Sequence, residues 1–262
     1  MRKLPFLLAL LPLAAPVLAA PDLSAPSAQV FDAVKKPESL DAQWRANLCT
    51  LLPKPCNEQQ LGLYRPRGAA AGDYVVLSTE PLAMARIKRR TDAKSWQLDR
   101  LHDFSDYAQA LKKDSDPSRS EARLSLAPAL YPLAEGKWAA AVLQTVSEGY
   151  SGGGASFDTA DFVPLEGGKA VQEGIPFSCS KMIRACFSEK EYKTSKHCHD
   201  ESFGSLRIAY GETFKPGAPY DWQYTWVQTE WPQNEPRGAA TTTRVLFTAK
   251  TTERAGFCGG PQ

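Results

Sequence analysis

Beyond residue 20 the sequence has no apolar run of membrane-spanning length, no excess of either charge, no C-x-x-C and no H-E-x-x-H. A spanning helix needs about 20 consecutive apolar residues, so no membrane span is expected in the mature product. Nucleic-acid binders carry a basic excess that displaces counterions. Here removal of Arg2 and Lys3 with an N-terminal leader lowers Lys+Arg from 31 to 29, level with 29 Asp+Glu. No nucleic-acid partner is expected, and the local cluster Arg86, Lys88, Arg89 and Arg90 reads as a solvated hairpin end. Histidine is scarce, with His102, His197 and His199 the whole complement. No internal repeat is visible.

What is present begins with a leader. Arg2 and Lys3 precede an apolar run from Leu4 to Leu18 that is broken by Pro5, Pro12 and Pro16 and closes on Val17-Leu18-Ala19. A basic start, a short apolar core and a small-x-small end describe a secretory signal peptide, residues 1–19, cut after Ala19. No cysteine follows the cut, so the lipoprotein route is not indicated. The product is expected to be periplasmic or secreted. All six cysteines (Cys49, Cys56, Cys179, Cys186, Cys198 and Cys258) lie beyond the leader, and an even count in an exported chain argues for disulfides. Six cysteines allow 15 connectivities, among which sequence alone does not choose. The pairing favoured here is Cys49–Cys56, Cys186–Cys198 and Cys179–Cys258.

The expected architecture is mainly β with minor helices (α+β), in antiparallel meander sheets stapled by disulfides. Residues 20–38, rich in Ala, Pro and Ser, read as a flexible arm. Residues 39–166 read as a β-rich region with short helices. One helix is capped by Ser39, with Leu40, Trp44, Leu48 and Leu51 at helical spacing, and is stopped by Pro53 and Pro55. Strands follow at Tyr74–Leu77, Leu82–Lys88 and Ser95–Phe104, then a helix at Ser105–Lys113. Three more strands are expected at Ala122–Leu126, Trp138–Ser147 and Ala155–Val163. Residues 167–262 read as a disulfide-tied, three-stranded region with strands at Ser205–Thr213, Tyr220–Trp231 and Ala240–Thr251, their turns marked by Pro and Gly. This region is either separate or continuous with the preceding part, and the boundary falls near residues 166–176.

Three stretches bear on chemistry. Gly149-Tyr150-Ser151-Gly152-Gly153 matches G-x-S-x-G, in which a serine nucleophile needs a strand-to-helix turn, with Asp and His partners later in the chain. Asp158 or Asp161 and His197 or His199 follow, yet no helical period comes after Ser151. A glycine-rich hairpin tip accounts for the same residues, so Ser151 is only a weak catalytic candidate. His197-Cys198-His199 offers imidazole and thiolate, which suit zinc, but the ligand set is incomplete and Cys198 is expected in a bridge. Two surface histidines beside a disulfide are the simpler reading, with no metal and no cofactor. Third, Trp222, Tyr224 and Trp226 share one strand face, either as a stacking platform for sugars or partners or as sheet core.

The run Ile183-Arg-Ala-Cys-Phe-Ser-Glu-Lys-Glu-Tyr-Lys-Thr-Ser-Lys-His-Cys-His-Asp-Glu201, followed by Gly204-Ser-Leu-Arg-Ile-Ala-Tyr210, looks like a segment of exported proteobacterial proteins. More broadly, the layout resembles periplasmic immunity proteins that neutralise effectors of type VI secretion. The likeness lies in leader, size, β-richness and the lack of a catalytic set, and carries over no functional residue. It implies a binding or inhibitory protein whose partner is another exported protein. The candidate interface is Tyr150, Ser151, His197, His199 and Trp231. The alternatives are a secreted serine hydrolase using Ser151 and a glycan-binding envelope protein using the aromatic stripe.

Overall fold

The computed structural model describes residues 26–35, 43–90, 95–114, 122–211, 217–249 and 257–260. The leader, its cleavage position and Ser39 lie outside them. Twelve strands among the described residues form one antiparallel sheet. β1 (Gln29–Ala33) comes first, then a meander of β2 (Leu61–Pro66), β3 (Asp73–Thr79), β4 (Leu82–Arg89) and β5 (Trp96–Asp103). A second meander contains β6 (Arg123–Ala134), β7 (Lys137–Tyr150), β8 (Gly153–Pro164), β9 (Gln172–Arg184), β10 (His199–Tyr210), β11 (Trp222–Trp231) and β12 (Thr241–Phe247). β1 joins the two. Phe31 pairs with Pro66 on one side, and Gln29 and Val30 pair with Leu130 and Ala129 on the other. Residues 29–33 of the expected flexible arm are therefore a seam strand. Ala and Ser dominate that segment's composition, but Val30-Phe31 supplies a β-favouring pair, and Phe31 is buried between the meanders.

The sheet folds over itself at this seam. β3 and β4 lie over β6, and Phe31, Val75, Leu77 and Met84 meet Leu126, Leu130, Ala140 and Val142 in a shared core. Helix α1 (Trp44–Cys49) covers the other face of β2–β4, where Trp44, Leu48 and Leu52 pack on Leu63, Val76, Ala85 and Ile87. Burial on both faces explains why Tyr74-Val-Val-Leu77 is a continuous apolar run instead of an alternating one. The same holds for Ala139-Ala140-Ala141-Val142, fully buried and facing two cores in alternation. Helix α2 (Ser105–Asp114) lays Tyr107, Ala108 and Leu111 on the shared core. The buried Asp161 carboxylate pins it, accepting hydrogen bonds from Tyr107 Oη, Gln144 Nε2 and the Gly174 amide.

The seven strands β6–β12 curl into a deep trough. Trp222 Nε1 donates to the Pro132 carbonyl at 3.0 Å, and the Tyr220 amide donates to Leu133, so the start of β11 returns to the end of β6. Trp222, Tyr224 and Trp226 fill the trough at 7%, 0% and 1% exposure. The Trp222 ring meets Phe162 edge-on at 4.8 Å, and Trp226 meets Phe257 at 5.6 Å. The aromatic stripe is core. Truncating Trp226 to Ala is expected to cost about 3–5 kcal/mol.

Three disulfides are present: Cys49–Cys56, Cys179–Cys258 and Cys186–Cys198. The first ties α1 to the segment after it. The second fixes the turn Phe257–Gly259 beneath β9 and sends Phe257 into the core. The third closes the neck of the β9–β10 connection. β8 and β9 pair directly from Gly153↔Ile183 to Phe162↔Gln172, so the sheet runs without a break across residues 166–176.

Candidate functional site

The far end of β7–β11 is built by three connections. β7 and β8 join through the two-residue loop Ser151-Gly152, with Tyr150 opposite Gly153 and Gly152 at φ +123°. This tip leans on β9: the Arg184 amide donates to the Gly152 carbonyl at 2.6 Å, and Tyr150 Oη donates to the Met182 carbonyl at 3.2 Å. A Cβ at Gly153 would stand 2.1 Å from the Met182 oxygen, so only glycine lets the tip approach β9 this closely.

The second connection, between β9 and β10, carries helix α3 (Glu189–Thr194). Ser188 and Glu191 form a reciprocal capping box, the Ser188-x-x-Glu191 pattern that marks a helix start. Amide donors from Phe187 and Ser188, with the Ser188 hydroxyl, hold the Glu191 carboxyl below the usual carboxylate range. The Arg184 guanidinium bonds the Cys186 carbonyl and lies over the rings of Phe187 and Tyr192. Cys186–Cys198 and the Ala185 amide bond to Cys198 close the neck.

The third connection, after β11, clamps His197. Its carbonyl accepts from Ser195 Oγ and from the Asn234 amide. Its ring stacks on Trp231 at 3.5 Å and an interplanar angle of 4°, and Arg237 sits 5.5 Å from the Trp231 ring centroid. The reading of two surface histidines does not hold for His197, whose side chain is 9% exposed. The period-two pattern places His199 and Glu201 together on one face of β10. The His199 ring lies 5.8 Å from that of His197, and Glu201 Oε1 lies 3.5 Å from His197 Nε2.

All five sequence candidates meet at this end. Tyr150 and Ser151 sit at the hairpin tip beside Arg184, Arg184 is the cross-strand partner of His199, and His197 stacks on Trp231. One lateral row runs Gly149, Gly154, Met182, Glu201, Trp231 across five strands, a width of about 19 Å at the usual strand spacing. Comparison with protein-family models, curated proteins and solved structures finds no match.

Sequence reasoning overlooked the apolar members of this end. Met182, Phe203 and Tyr192 are 43%, 44% and 49% exposed, and Phe187 is 70% exposed. Met182 and Phe203 stand in neighbouring cross-strand rows on the face of β9 and β10 turned away from the trough. Alternation against the inward Leu206, Ile208 and Tyr210 was the signal available for Phe203.

Ser151 is exposed in a strand–turn–strand setting, so the helix that a nucleophile elbow requires is absent at this turn. Among the described residues, no histidine or carboxylate hydrogen-bonds it. Asp158 instead accepts from Thr145 and Ser178. His102 Nδ1 meets the Leu165 carbonyl, and burial lowers its pKa. Members of the basic cluster find partners within the protein: Arg86 bonds Gln29, Lys88 approaches Asp99, and Arg89 lies over Trp96.

Proposed function

We propose that this chain is an exported binding protein, an inhibitory module of the immunity type, which captures another exported protein through the end of the curled sheet. The observation that carries the reading is a rigid frame presenting exposed aromatic and apolar side chains. Phe187 and Tyr192 lie against Arg184, Tyr150 reaches the Met182 carbonyl at the neighbouring hairpin tip, and Phe203 stands further along the same face of β10 as His199. Aromatic, Met and Arg side chains are enriched in binding interfaces, and rigid anchors lose little entropy on docking. Disulfides belong to oxidising compartments, and no helix among the described residues is long and apolar enough to cross a membrane. We place the protein in the periplasm or outside the cell, after removal of residues 1–19. The aromatic stripe is buried and offers no platform for sugars.

The test begins with a bait pull-down from periplasmic extract, with the product of the neighbouring gene co-expressed. Reconstitution from two purified proteins must then give a defined stoichiometry. Phe187→Asp and Tyr150→Ala are expected to weaken that complex by one or two orders of magnitude, the usual range for anchor residues. A complex indifferent to Phe187 and Tyr150 removes this end of the sheet as the contact. Stoichiometric labelling of Ser151 by a fluorophosphonate would favour the hydrolase instead.

A further inference from the structure

We propose that His197, His199 and Glu201 form a binding site for one divalent transition-metal ion of the zinc class. His199 and Glu201, two residues apart in β10, face one side of the sheet, and His197, in the segment just before the strand, brings its ring beside them. One ligand atom from each lies within 4.8 Å of the other two. His197 Nε2 and Glu201 Oε1 are 3.5 Å apart, close to the roughly 3.4 Å edge of a tetrahedron with zinc bond lengths. The remaining adjustment falls to His199 and Glu201, which are only partly buried and have rotamer freedom.

A second observation points to a ligand independently. His197 Nε2 is buried and has no hydrogen-bond partner in the protein. The approach of Glu201 is not a hydrogen bond, and an unsatisfied buried imidazole nitrogen is costly. A metal ion would satisfy it. The surroundings are also pre-set. The His197 ring is held by Trp231, its backbone by Ser195 and Asn234, and the intervening Cys198 by its bridge to Cys186. Arg184, the cross-strand partner of His199, is occupied by the Cys186 carbonyl and two rings, and Arg237 is engaged by the Trp231 ring. Two imidazoles and one carboxylate leave a coordination position for water or for a ligand group of a bound protein. This site does not depend on the partner reading and is tested without any partner.

The experiment uses the mature, disulfide-bonded chain, stripped with EDTA and dialysed. Zinc titration by calorimetry at neutral pH is expected to show one ion per chain with a micromolar or tighter Kd. Cobalt should give the intense visible absorbance of a four-coordinate centre. His199→Ala and Glu201→Gln, at partly exposed positions, should each weaken zinc by at least the roughly tenfold that loss of even an outer-shell partner costs. His102→Ala should bind as the parent does. Zinc should raise the melting temperature of the parent more than that of His199→Ala at the same zinc concentration. Either of two results would overturn the site: no saturable binding at millimolar zinc, which leaves only the close approach of His197 and Glu201, or binding that both variants retain.

Discussion

At the scale of single residues, the trough depends on where side chains are missing as much as on where they are large. A Cβ at Gly204 would stand 2.3 Å from the Trp226 ring and 2.9 Å from Cys179 Sγ. Gly204→Ala is therefore expected to destabilise by about 1–3 kcal/mol, read as a lower urea midpoint. Gly149→Ala, with open space around its Cβ, serves as the control and should shift the midpoint little. Tyr131, Tyr210 and Tyr224 have pKa values raised by burial. The sign follows from linkage: the unfolded phenols ionise near pH 10 and the folded ones do not. This contribution to stability is fully present below pH 10 and declines above it. Tyrosinate absorbance should show these rings ionising together with unfolding, after the exposed tyrosines. Residue-level reading of the sequence reached the three cysteine pairings and the shared face of Trp222, Tyr224 and Trp226. It missed Glu201 as a companion of the histidines, because that proximity depends on β10 starting at His199, where a polar His-Cys-His disguises the strand.

At the scale of elements, helices α1 and α2 and most strands were legible from periodicity and turn residues. Helix α2 is the clearest case, expected at Ser105–Lys113 and found at Ser105–Asp114. β9 and the start of β10 were obscured by Pro176, which sits beside a register irregularity near Asp158/Thr159, and by three cysteines and two histidines that draw the reading toward bridges and not toward strands. Helix α3 was missed, although Ser188-x-x-Glu191 carries its capping pattern. Its carboxyl is held low by amide donors, so the cap is intact above the ordinary carboxylate range and is lost as pH falls through the depressed value. Ser188→Ala is expected to cost the local helix about 1 kcal/mol. Amide exchange confined to residues 188–195 should report it, with exchange in β9 and β10 unaltered.

For the whole molecule, strand order was not legible, because the decisive pairing joins residues about a hundred apart and local pattern carries no trace of it. The three bridges differ in what they restrain. Loop-closure arithmetic assigns about 4.5 kcal/mol to Cys179–Cys258, at a sequence separation of 79, and about 2.4 kcal/mol to Cys49–Cys56, at a separation of 7. Replacing the Cys179/Cys258 pair by serine should lower the melting temperature more than replacing Cys49/Cys56. The first pair is also buried, which adds cost when two hydroxyls take its place.

The seam strand has a consequence for how the chain comes together. β1 can add to β2 as soon as both exist, but its other edge stays unpaired until β6 has been made, and a five-residue strand with one open edge is an invitation to a neighbour. A second molecule whose β6 has formed but has not yet received its own β1 presents a matching open edge. Exchange of β1 between two copies would complete both sheets with native pairings and yield an intertwined dimer. Such dimers should accumulate when refolding is concentrated, resist dilution once formed, and vanish when β1 is weakened by Phe31→Ala. The strand that unites the two meanders is thus also the place where two molecules can be mistaken for one.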